Sequence, residues 1–317
     1  MKNKICLIIP YFGKLPKYAD LFFESLRNND NIDVLMITDA TVKYELKNLK
    51  ILRMSFDALR NKIQEKFPFK ISLEKPYKLC DFKPAYGYIF QEYLTEYTFW
   101  GYSDIDLVFG KTSIFLTEEL LSKYDKIYQH GHFCLYRNVT WINEEFMSNY
   151  GIDYKKVFSS SIIYVFDELL GVQKKFDYDR ISTYKGWEFF DVNPWKYHLT
   201  RVTSYVPSEI LTNNFDFKHE CFYIENGHLY REALKGDRLI KSEFLYFHFQ
   251  KRNYTINNKS DNFYLTNNGT LDVEKSISSF NIDEYNKFST IEQIKLNLRK
   301  QQFVWKRRIK KYLFKKG

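Results

Sequence analysis

The sequence predicts an α/β fold in which helices flank a Rossmann-type mixed sheet. Apolar, strand-length segments alternate with segments of helical periodicity between residues 4 and 103, and this alternation is typical of a largely parallel sheet. Two of these strands end at aspartates, Asp39 and Asp104, on the edge where parallel sheets bind ligands. The 317 residues, 44% of them hydrophobic, can bury a large core and exclude a disordered chain.

Local signals place the N-terminal elements. An apolar run ends at Pro10, and Leu21, Phe22 and Leu26 share one helical face, as expected for a buried strand followed by an amphipathic helix. The elements predicted in this way are strand 4–9, helix 16–29, strand 34–38, a short strand near Ile51, helix 55–66, helix 84–95 and strand 98–103.

Beyond residue 126 the pattern is less regular. The strand-like segments there are 126–129, 133–136, 161–166, 201–206, 219–224 and 243–249. Because no linker rich in Pro, Gly or Ser intervenes, residues 1–252 are predicted to form one domain. Residues 253–288 are predicted to be surface loops, since 253–278 are rich in Asn and Ser. A plausible capping box at 289–292 predicts a helix over 290–314, within a basic amphipathic C-terminal region, 289–317.

The most informative segment is Phe99–Gly110, in which Asp104-Ile105-Asp106 interrupts an apolar run. Residues two apart in an extended chain point to the same side, so both carboxylates can aim at one point. Two acids in an apolar segment are costly unless something positive neutralises them, and a divalent cation holding a phosphate is the usual solution. The alternative is that the acids cap the next helix or lie at a solvated strand end.

Two further segments carry candidate ligands for a phosphate or a metal. His248 would suit a metal beside carboxylates, and Lys251 and Arg252 could bind a diphosphate as it leaves. Lys83 and Asp81 lie next to Pro84, at a predicted helix N-terminus where phosphates and sugar hydroxyls bind readily. The alternatives are an interior histidine, solvated cations and a helix cap.

A third segment offers a general base. Asp167 and Glu168 follow an apolar run that ends at Phe166. Either carboxylate could deprotonate an acceptor hydroxyl. The alternative is that both are ordinary acids at the end of a strand.

Several classes of protein are disfavoured. The four cysteines are far apart, which predicts reduced thiols rather than a zinc site or disulfides. The motifs GxGxxG, GxxxxGK[ST] and GxSxG are absent, so dinucleotide-binding, P-loop and nucleophile-elbow interpretations lack support. No 18-residue apolar run predicts a transmembrane helix, and Met1–Pro10 does not resemble a signal peptide, so a cytoplasmic location is predicted.

The net charge of +9 is concentrated at one end of the chain. Residues 299–317 contain nine Lys or Arg and no acid, while 39 basic and 39 acidic residues balance elsewhere. Trp305, Ile309 and Tyr312 form an apolar stripe among these cations. The pattern predicts peripheral association with an anionic membrane surface, the alternative being a solvated charge run. Nucleic-acid binding is disfavoured because the rest of the chain is neutral.

Together these segments resemble the bacterial surface-polysaccharide glycosyltransferases of the GT-A fold, over residues 4–252. The matching segments are Ile8-Ile9-Pro10-Tyr11-Phe12, Asp81-Phe82-Lys83-Pro84, Trp100-Gly101-Tyr102-Ser103-Asp104-Ile105-Asp106, Gly131-His132 with Arg137-Asn138, and His248-Phe249-Gln250-Lys251-Arg252. The resemblance implies a GT-A catalytic domain over 1–252 that binds a nucleotide sugar, most often a UDP-sugar, with Mn²⁺ or Mg²⁺ on the D-x-D motif.

The resemblance also implies roles for single residues. The implied metal ligands are Asp104, Asp106 and His248. Tyr11 and Asp39 fall where the nucleoside is normally held, and Asp104 also faces the ribose. Lys83 would contact the donor sugar or diphosphate, with Lys251 and Arg252 at the leaving group. Asp167 or Glu168 could match the catalytic base of inverting members.

The function expected from this resemblance is the transfer of a sugar to a glycan or lipid-linked oligosaccharide acceptor. The expected sugar is a hexose. The pathway would be capsular or exopolysaccharide synthesis at the inner membrane leaflet, contacted through residues 299–317. One alternative is a nucleotidyltransferase of related fold, which should carry a Gly-rich loop near its N-terminus, where only Gly13 occurs. The other is a non-catalytic carbohydrate-binding or assembly protein.

Overall fold

The computed structural model of the protein describes residues 3–207, 220–235, 238–250, 252, 254–273 and 289–313. It is a mixed α/β structure with a large mixed sheet flanked by helices. The chain divides into two compact units, Met1–Leu107 with Lys111–Glu188 and Val108–Gly110 with Phe189–Gly317. The sequence, which predicts one domain over residues 1–252, has no linker at position 188.

The first unit contains a seven-stranded sheet in the order β3-β2-β1-β4-β7-β6-β8. Its strands are β1 (Ile5–Tyr11), β2 (Ile32–Thr38), β3 (Leu49–Arg53), β4 (Phe99–Ser103), β6 (Lys126–His130), β7 (Phe133–Arg137) and β8 (Thr183–Tyr184). The first four in the sheet order are parallel, β7 is antiparallel to both neighbours, and β6 and β8 are parallel. The sheet is therefore mixed, with its parallel half built from the N-terminal segments.

Short helices connect these strands. They are α1 (Ala19–Arg27), α2 (Phe56–Glu65), α3 (Tyr86–Ile89), α4 (Thr112–Phe115), α5 (Glu118–Lys123), α6 (Thr140–Asn143), α7 (Tyr154–Ser159) and α8 (Gln173–Tyr178), with 3-10 turns at Pro76–Ala85, Gln91–Tyr93 and Glu145–Met147. Leu21, Phe22 and Leu26 of α1 are buried, so its apolar face packs inward as the spacing predicts. The helix predicted over 84–95 is instead a 3-10 turn followed by α3 and a second 3-10 turn.

Trp100 anchors β4 in the core. Its indole stacks on Tyr136 of β7, with ring centroids 4.5 Å apart, and its Nε1–H donates to the Asn143 side chain at 2.6 Å. A Cβ at Gly87 would lie 2.2 Å from the indole, so only glycine lets α3 approach β4 this closely. Truncating Trp100 would cost about 3–5 kcal/mol in the free energy of unfolding.

The second unit contains two small sheets. The five-stranded antiparallel sheet has the order β12-β11-β10-β14-β15, and its strands are β10 (Glu220–Glu225), β11 (His228–Lys235), β12 (Arg238–Phe244), β14 (Phe263–Leu265) and β15 (Thr270–Asp272). The three-stranded sheet has the order β5-β13-β9, with β5 (Leu107–Phe109), β9 (Phe189–Asp191) and β13 (Tyr246–His248). A long helix, α9 (Thr290–Leu313), follows.

Besides the segment 84–95, the structure differs from the sequence predictions at three places. Residues 161–166 are not a strand but part of a loop, and 201–206 contribute only a single bridge, Val192 to Arg201. The predicted surface loops over 253–288 include β14 and β15, because the Phe263–Leu265 side chains are buried. Residues 274–288 lie outside the described residues.

Candidate functional site

Three parallel strands bring candidate residues to one edge of the large sheet. Tyr11 is the last residue of β1 and pairs in register with Thr38, the last residue of β2, which Asp39 follows. Asp104 comes directly after β4, the other neighbour of β1. Because parallel strands end on the same side, these residues share the carboxyl edge of the sheet, where α/β proteins bind ligands.

The two acids after β4 lie on the same side of the chain. Ile105 is buried, while Asp104 and Asp106 on either side of it are partly exposed. A carboxylate oxygen of Asp104 lies within 4.8 Å of one of Asp106. The alternation seen in the sequence therefore brings the two carboxylates together and sends the intervening side chain into the core.

Lys83 connects this acid pair to a second pair. Its Nζ lies 2.7 Å from Asp104 Oδ1 and 3.3 Å from Asp167 Oδ2, and it donates to the Gly131 carbonyl at 2.7 Å. The ammonium also lies 5.3 Å from the centre of the Tyr102 ring. Burial alone would lower the pKa of Lys83, but the carboxylates of Asp104 and Asp167 outweigh it and hold the pKa well above its usual value. Lys83 is thus a permanently charged bridge.

The second acid pair, Asp167 and Glu168, converges on Gly131. A Cβ at Gly131 would lie 2.5 Å from Asp167 Oδ2 and 2.7 Å from Glu168 Oε1. A side chain at this position would force the two carboxylates away, so the glycine is needed for their close approach. The pair therefore faces the backbone between β6 and β7, next to Lys83.

Both carboxyls of the second pair hold protons more tightly than usual. Burial raises the pKa of Asp167 to about 6, although the Lys83 charge opposes the shift. Burial and then the Asp167 charge raise the pKa of Glu168 to about 7. Carboxyls that titrate near neutral pH, in a cluster with a fixed cation, are typical of active sites.

A buried ion pair fixes the loop that carries these acids. The carboxylate of Asp81 accepts the backbone N–H groups of Tyr164 and Phe166 at 3.0 and 2.9 Å. Lys78 lies 2.7 Å from the same carboxylate. Between the two hydrogen bonds, Val165 has a φ of 57°, a conformation that β-branched residues rarely adopt. Asp81 therefore positions the loop rather than binding a ligand itself, and backbone strain is kept beside the acids.

Two tyrosines lie close enough to the acid pair for its charge to affect their pKa values. The pKa of Tyr11 is raised by burial and then by the Asp106 charge, and that of Tyr18 is raised to about 12 by the same two causes. Asp39 accepts the Gly13 N–H at 2.8 Å, which fixes the loop after β1. Tyr11 and Asp39 therefore lie at the same edge of the sheet as the acid pair, and their role in holding a nucleoside stays a prediction.

The donor set of the acid pair fits a hard divalent cation. Carboxylate oxygens are the ligands that Mg²⁺ and Mn²⁺ prefer. Asp104 accepts the hydrogen bond from Lys83 through Oδ1. A carboxylate has two oxygens, so Asp104 and Asp106 can each offer one to a cation.

The chain can also be compared with known proteins. Residues 7–274 match a family of unknown function, DUF6625. The chain belongs to this family. The matched range includes every candidate site residue from Tyr11 to Arg252, whereas α9 lies outside it. No curated protein matches the chain.

In the second unit of the protein, His248 pairs with the carboxylate of Asp191. Its Nδ1 lies 2.8 Å from Asp191 Oδ1, because β13 and β9 are parallel and the two residues are in register. Asp191 also accepts from Tyr205 and, at 2.5 Å, from Gln250. A carboxylate that orients an imidazole is a common arrangement around metal sites. That His248 is a ligand of the same cation as Asp104 and Asp106 stays a prediction.

Of the two residues predicted to bind the diphosphate, Lys251 and Arg252, the structure describes only Arg252. The Arg252 guanidinium donates to five backbone carbonyls, those of Asn193, Lys196, Tyr197, His198 and Asn267. This arrangement favours a structural role, because the two terminal nitrogens already hold the 193–198 segment. Lys251 lies outside the described residues.

Sequence reasoning missed three participants. Gly131 and Tyr102 belong to segments that carry the resemblance, which implies no role for them, and Tyr18 lies outside those segments. A signal existed for Gly131, since a glycine among strand residues can mark the close approach of another group. Nothing in the sequence indicates that the Tyr102 ring lies beside the Lys83 ammonium or that the Asp106 charge acts on Tyr18.

Proposed function

We propose that the protein is a metal-dependent glycosyltransferase that moves a sugar from a nucleotide sugar to a hydroxyl of a glycan acceptor. The observation that carries the proposal is the link that Lys83 makes between Asp104 and Asp167 at the carboxyl edge of the large sheet. It puts a carboxylate pair suited to a cation next to a pair suited to proton transfer. A UDP-sugar is the expected donor, on the resemblance described above.

The donor side of the proposed site is the acid pair with its neighbours. Asp104 and Asp106 would hold the cation. A bound divalent cation supplies positive charge that stabilises the departing diphosphate. Tyr11 and Asp39, at the ends of β1 and β2, would receive the nucleoside, and the Tyr11 ring offers a flat apolar face to a base.

Lys83 contributes a fixed charge. Because its pKa is held well above the usual value, the ammonium stays protonated at any physiological pH. It lies at Asp104 and can donate a hydrogen bond toward oxygens that gain negative charge as the glycosidic bond breaks. In the absence of a substrate the ammonium pairs with the partly exposed Asp104 and the buried Asp167, which offsets the cost of burying the Asp167 charge.

Glu168 is the better candidate for the base. Asp167 is buried and ion-paired with Lys83, which leaves it in a positioning role, whereas Glu168 is only partly buried and has a pKa of about 7. In an inverting transfer, the acceptor oxygen bonds to the anomeric carbon while the bond to the diphosphate breaks. The hydroxyl proton moves to a Glu168 carboxylate oxygen.

The biological setting is part of the same proposal. A lipid-linked oligosaccharide of surface-polysaccharide synthesis is the acceptor class that the resemblance supports, and a hexose is the sugar class. A nucleotidyltransferase is less well supported because the loop after β1 contains only Gly13. That loop is held by a side chain, Asp39, rather than by a run of glycines around a phosphate.

A screen of nucleotide sugars tests the function. The full chain is incubated with UDP- and GDP-sugars, with Mn²⁺ or with a chelator, and nucleoside diphosphate release is measured. We expect metal-dependent release from a UDP-sugar, lost in Asp106→Ala and kept in Asp57→Ala, a change at an exposed acid of α2. Absence of release from every donor, together with no stabilisation by any nucleotide, would point to a non-catalytic binding protein instead.

A further inference from the structure

The C-terminal helix α9 is held to the second unit by one face. Gln293 accepts the Tyr197 N–H at 3.0 Å and donates to the Trp195 carbonyl at 3.1 Å. Further along the same helix, the centroid of the Phe303 ring lies 5.5 Å from that of the Trp195 ring. These contacts fix which side of the helix faces the protein.

The opposite face carries an exposed apolar stripe. Ile291, Ile294, Leu298 and Trp305 are 68, 53, 55 and 67% exposed. At about 100° per residue these four side chains fall within roughly 60° of one another, on the side away from Gln293 and Phe303. Single exposed apolar residues are ordinary, but four along one stripe form a patch that indicates an interaction surface.

The positive charges beside this stripe indicate which kind of partner binds to it. Residues 299–317 hold nine Lys or Arg and no acid, and Ile309 and Tyr312 continue the apolar spacing in the sequence. A second copy of the helix would bring these like charges together. The heptad positions between the apolar residues are Gln301 and Arg308, which would interrupt a coiled-coil seam. An anionic lipid surface satisfies both the apolar stripe and the cations.

We propose that α9 docks on an anionic lipid surface through the stripe of Ile291, Ile294, Leu298 and Trp305. The apolar side chains enter the boundary between headgroups and acyl chains, and the lysines and arginines contact the headgroups. In this arrangement the helix lies along the surface, with its apolar stripe toward the acyl chains. No helix among the described residues is long and apolar enough to cross a membrane. The sequence pattern indicated the basic half of this surface, and the structure adds its start at Ile291 and its orientation.

Vesicle flotation tests the proposal with the full chain. We expect binding to phosphatidylcholine vesicles that contain phosphatidylglycerol, weakening as salt is raised, and much weaker binding to phosphatidylcholine alone. The double variant Ile294→Asp, Leu298→Asp should reduce the partition coefficient at least about tenfold. The matched control is Leu239→Asp, Leu271→Asp, which changes two exposed leucines of the same unit that are 50 and 41% exposed.

Three outcomes would overturn it. These are equal binding to neutral and anionic vesicles, no binding to either, and a concentration-dependent dimer that the α9 variant dissociates, which would assign the stripe to a second copy. The proposal does not depend on the proposed function. Nucleotide-sugar hydrolysis in solution should be unchanged in the α9 variant, so failure of one proposal leaves the other in place.

Discussion

The ammonium of Lys83 lies 2.7 Å from the carboxylate of Asp104, although the two residues come from different elements, a 3-10 turn and the end of β4. This contact makes one connected site of the acids at the sheet edge and the acids beside Gly131. Removing the cation would leave the buried Asp167 carboxylate beside the partly exposed Asp104 carboxylate with no positive charge between them, and like charges repel more strongly where burial reduces screening.

Lys83→Met therefore tests the link. We expect the rate of nucleotide-sugar turnover to fall about 100-fold, the scale found when one stabilising donor is removed from a reacting oxyanion. The free energy of unfolding should fall by about 3 kcal/mol, because Asp167 loses its buried partner. Turnover assays and urea unfolding measure the two effects. Lys62→Met, at a partly exposed lysine of α2, is the control. Wild-type turnover in Lys83→Met would show that the contact is structural only.

The raised pKa of Glu168 predicts the pH dependence of turnover. The base must be deprotonated to accept a proton, so kcat/KM should rise with pH and level off above about 7. In Glu168→Gln the rate should fall and the rise near neutral pH should disappear. Asp167→Asn should slow the reaction but keep a rise, shifted in pH. A profile that is unchanged in Glu168→Gln would assign the base to another residue.

The same shift predicts how stability depends on pH. A carboxyl whose pKa is higher in the folded than in the unfolded state binds more protons when folded, so its contribution to stability decreases as pH rises between the two values. For Glu168 this window runs from an unfolded value of about 4.3 to about 7. Glu168→Gln should raise the free energy of unfolding by roughly 1–3 kcal/mol above this window and by little below it.

Denaturant unfolding at both ends of the window measures this difference. Glu65→Gln, at an exposed position of α2, serves as the control and should show no such dependence. If Glu168→Gln raised the free energy of unfolding equally at the two pH values, the pKa of Glu168 would not be raised by its surroundings in the folded state.

Asp81 is expected to act by positioning the loop that carries the acids. Asp81→Asn removes the charge opposite the buried Lys78, so the free energy of unfolding should fall by about 3 kcal/mol. It also weakens the hold on the Tyr164 and Phe166 N–H groups, so kcat should fall while KM for the donor changes little. Asp57→Asn, an exposed acid, should change stability by less than about 0.5 kcal/mol. A variant as stable and as active as the wild type would remove Asp81 from this role.

The parallel half of the large sheet is the part of the fold that the sequence predicts well. The apolar runs of β1, β2 and β4 are continuous, as expected of strands buried on both faces, and each ends at a polar residue. The acid pair was found because Ile105 separates Asp104 from Asp106, a local pattern. Such features depend on neighbours in the chain and need no knowledge of the fold.

The features that the sequence did not predict depend on distant contacts. Residues 161–166 have the composition of a strand, but the Asp81 carboxylate binds their N–H groups and holds them in a loop. The sequence predicts that Arg252 binds a diphosphate, but in the structure its guanidinium donates to five backbone carbonyls. One missed signal was local, since Asn226-Gly227, with φ of 53° and 80°, forms the tight turn between β10 and β11 that this dipeptide indicates.

The most direct test of the central claim is calorimetric titration of Mn²⁺ into the protein with UDP present. The account predicts that UDP binding requires Mn²⁺ and that Asp106→Asn weakens the affinity for Mn²⁺ by more than about 100-fold, with Asp57→Asn like the wild type. Equal Mn²⁺ and UDP affinities in Asp106→Asn and the wild type would contradict it.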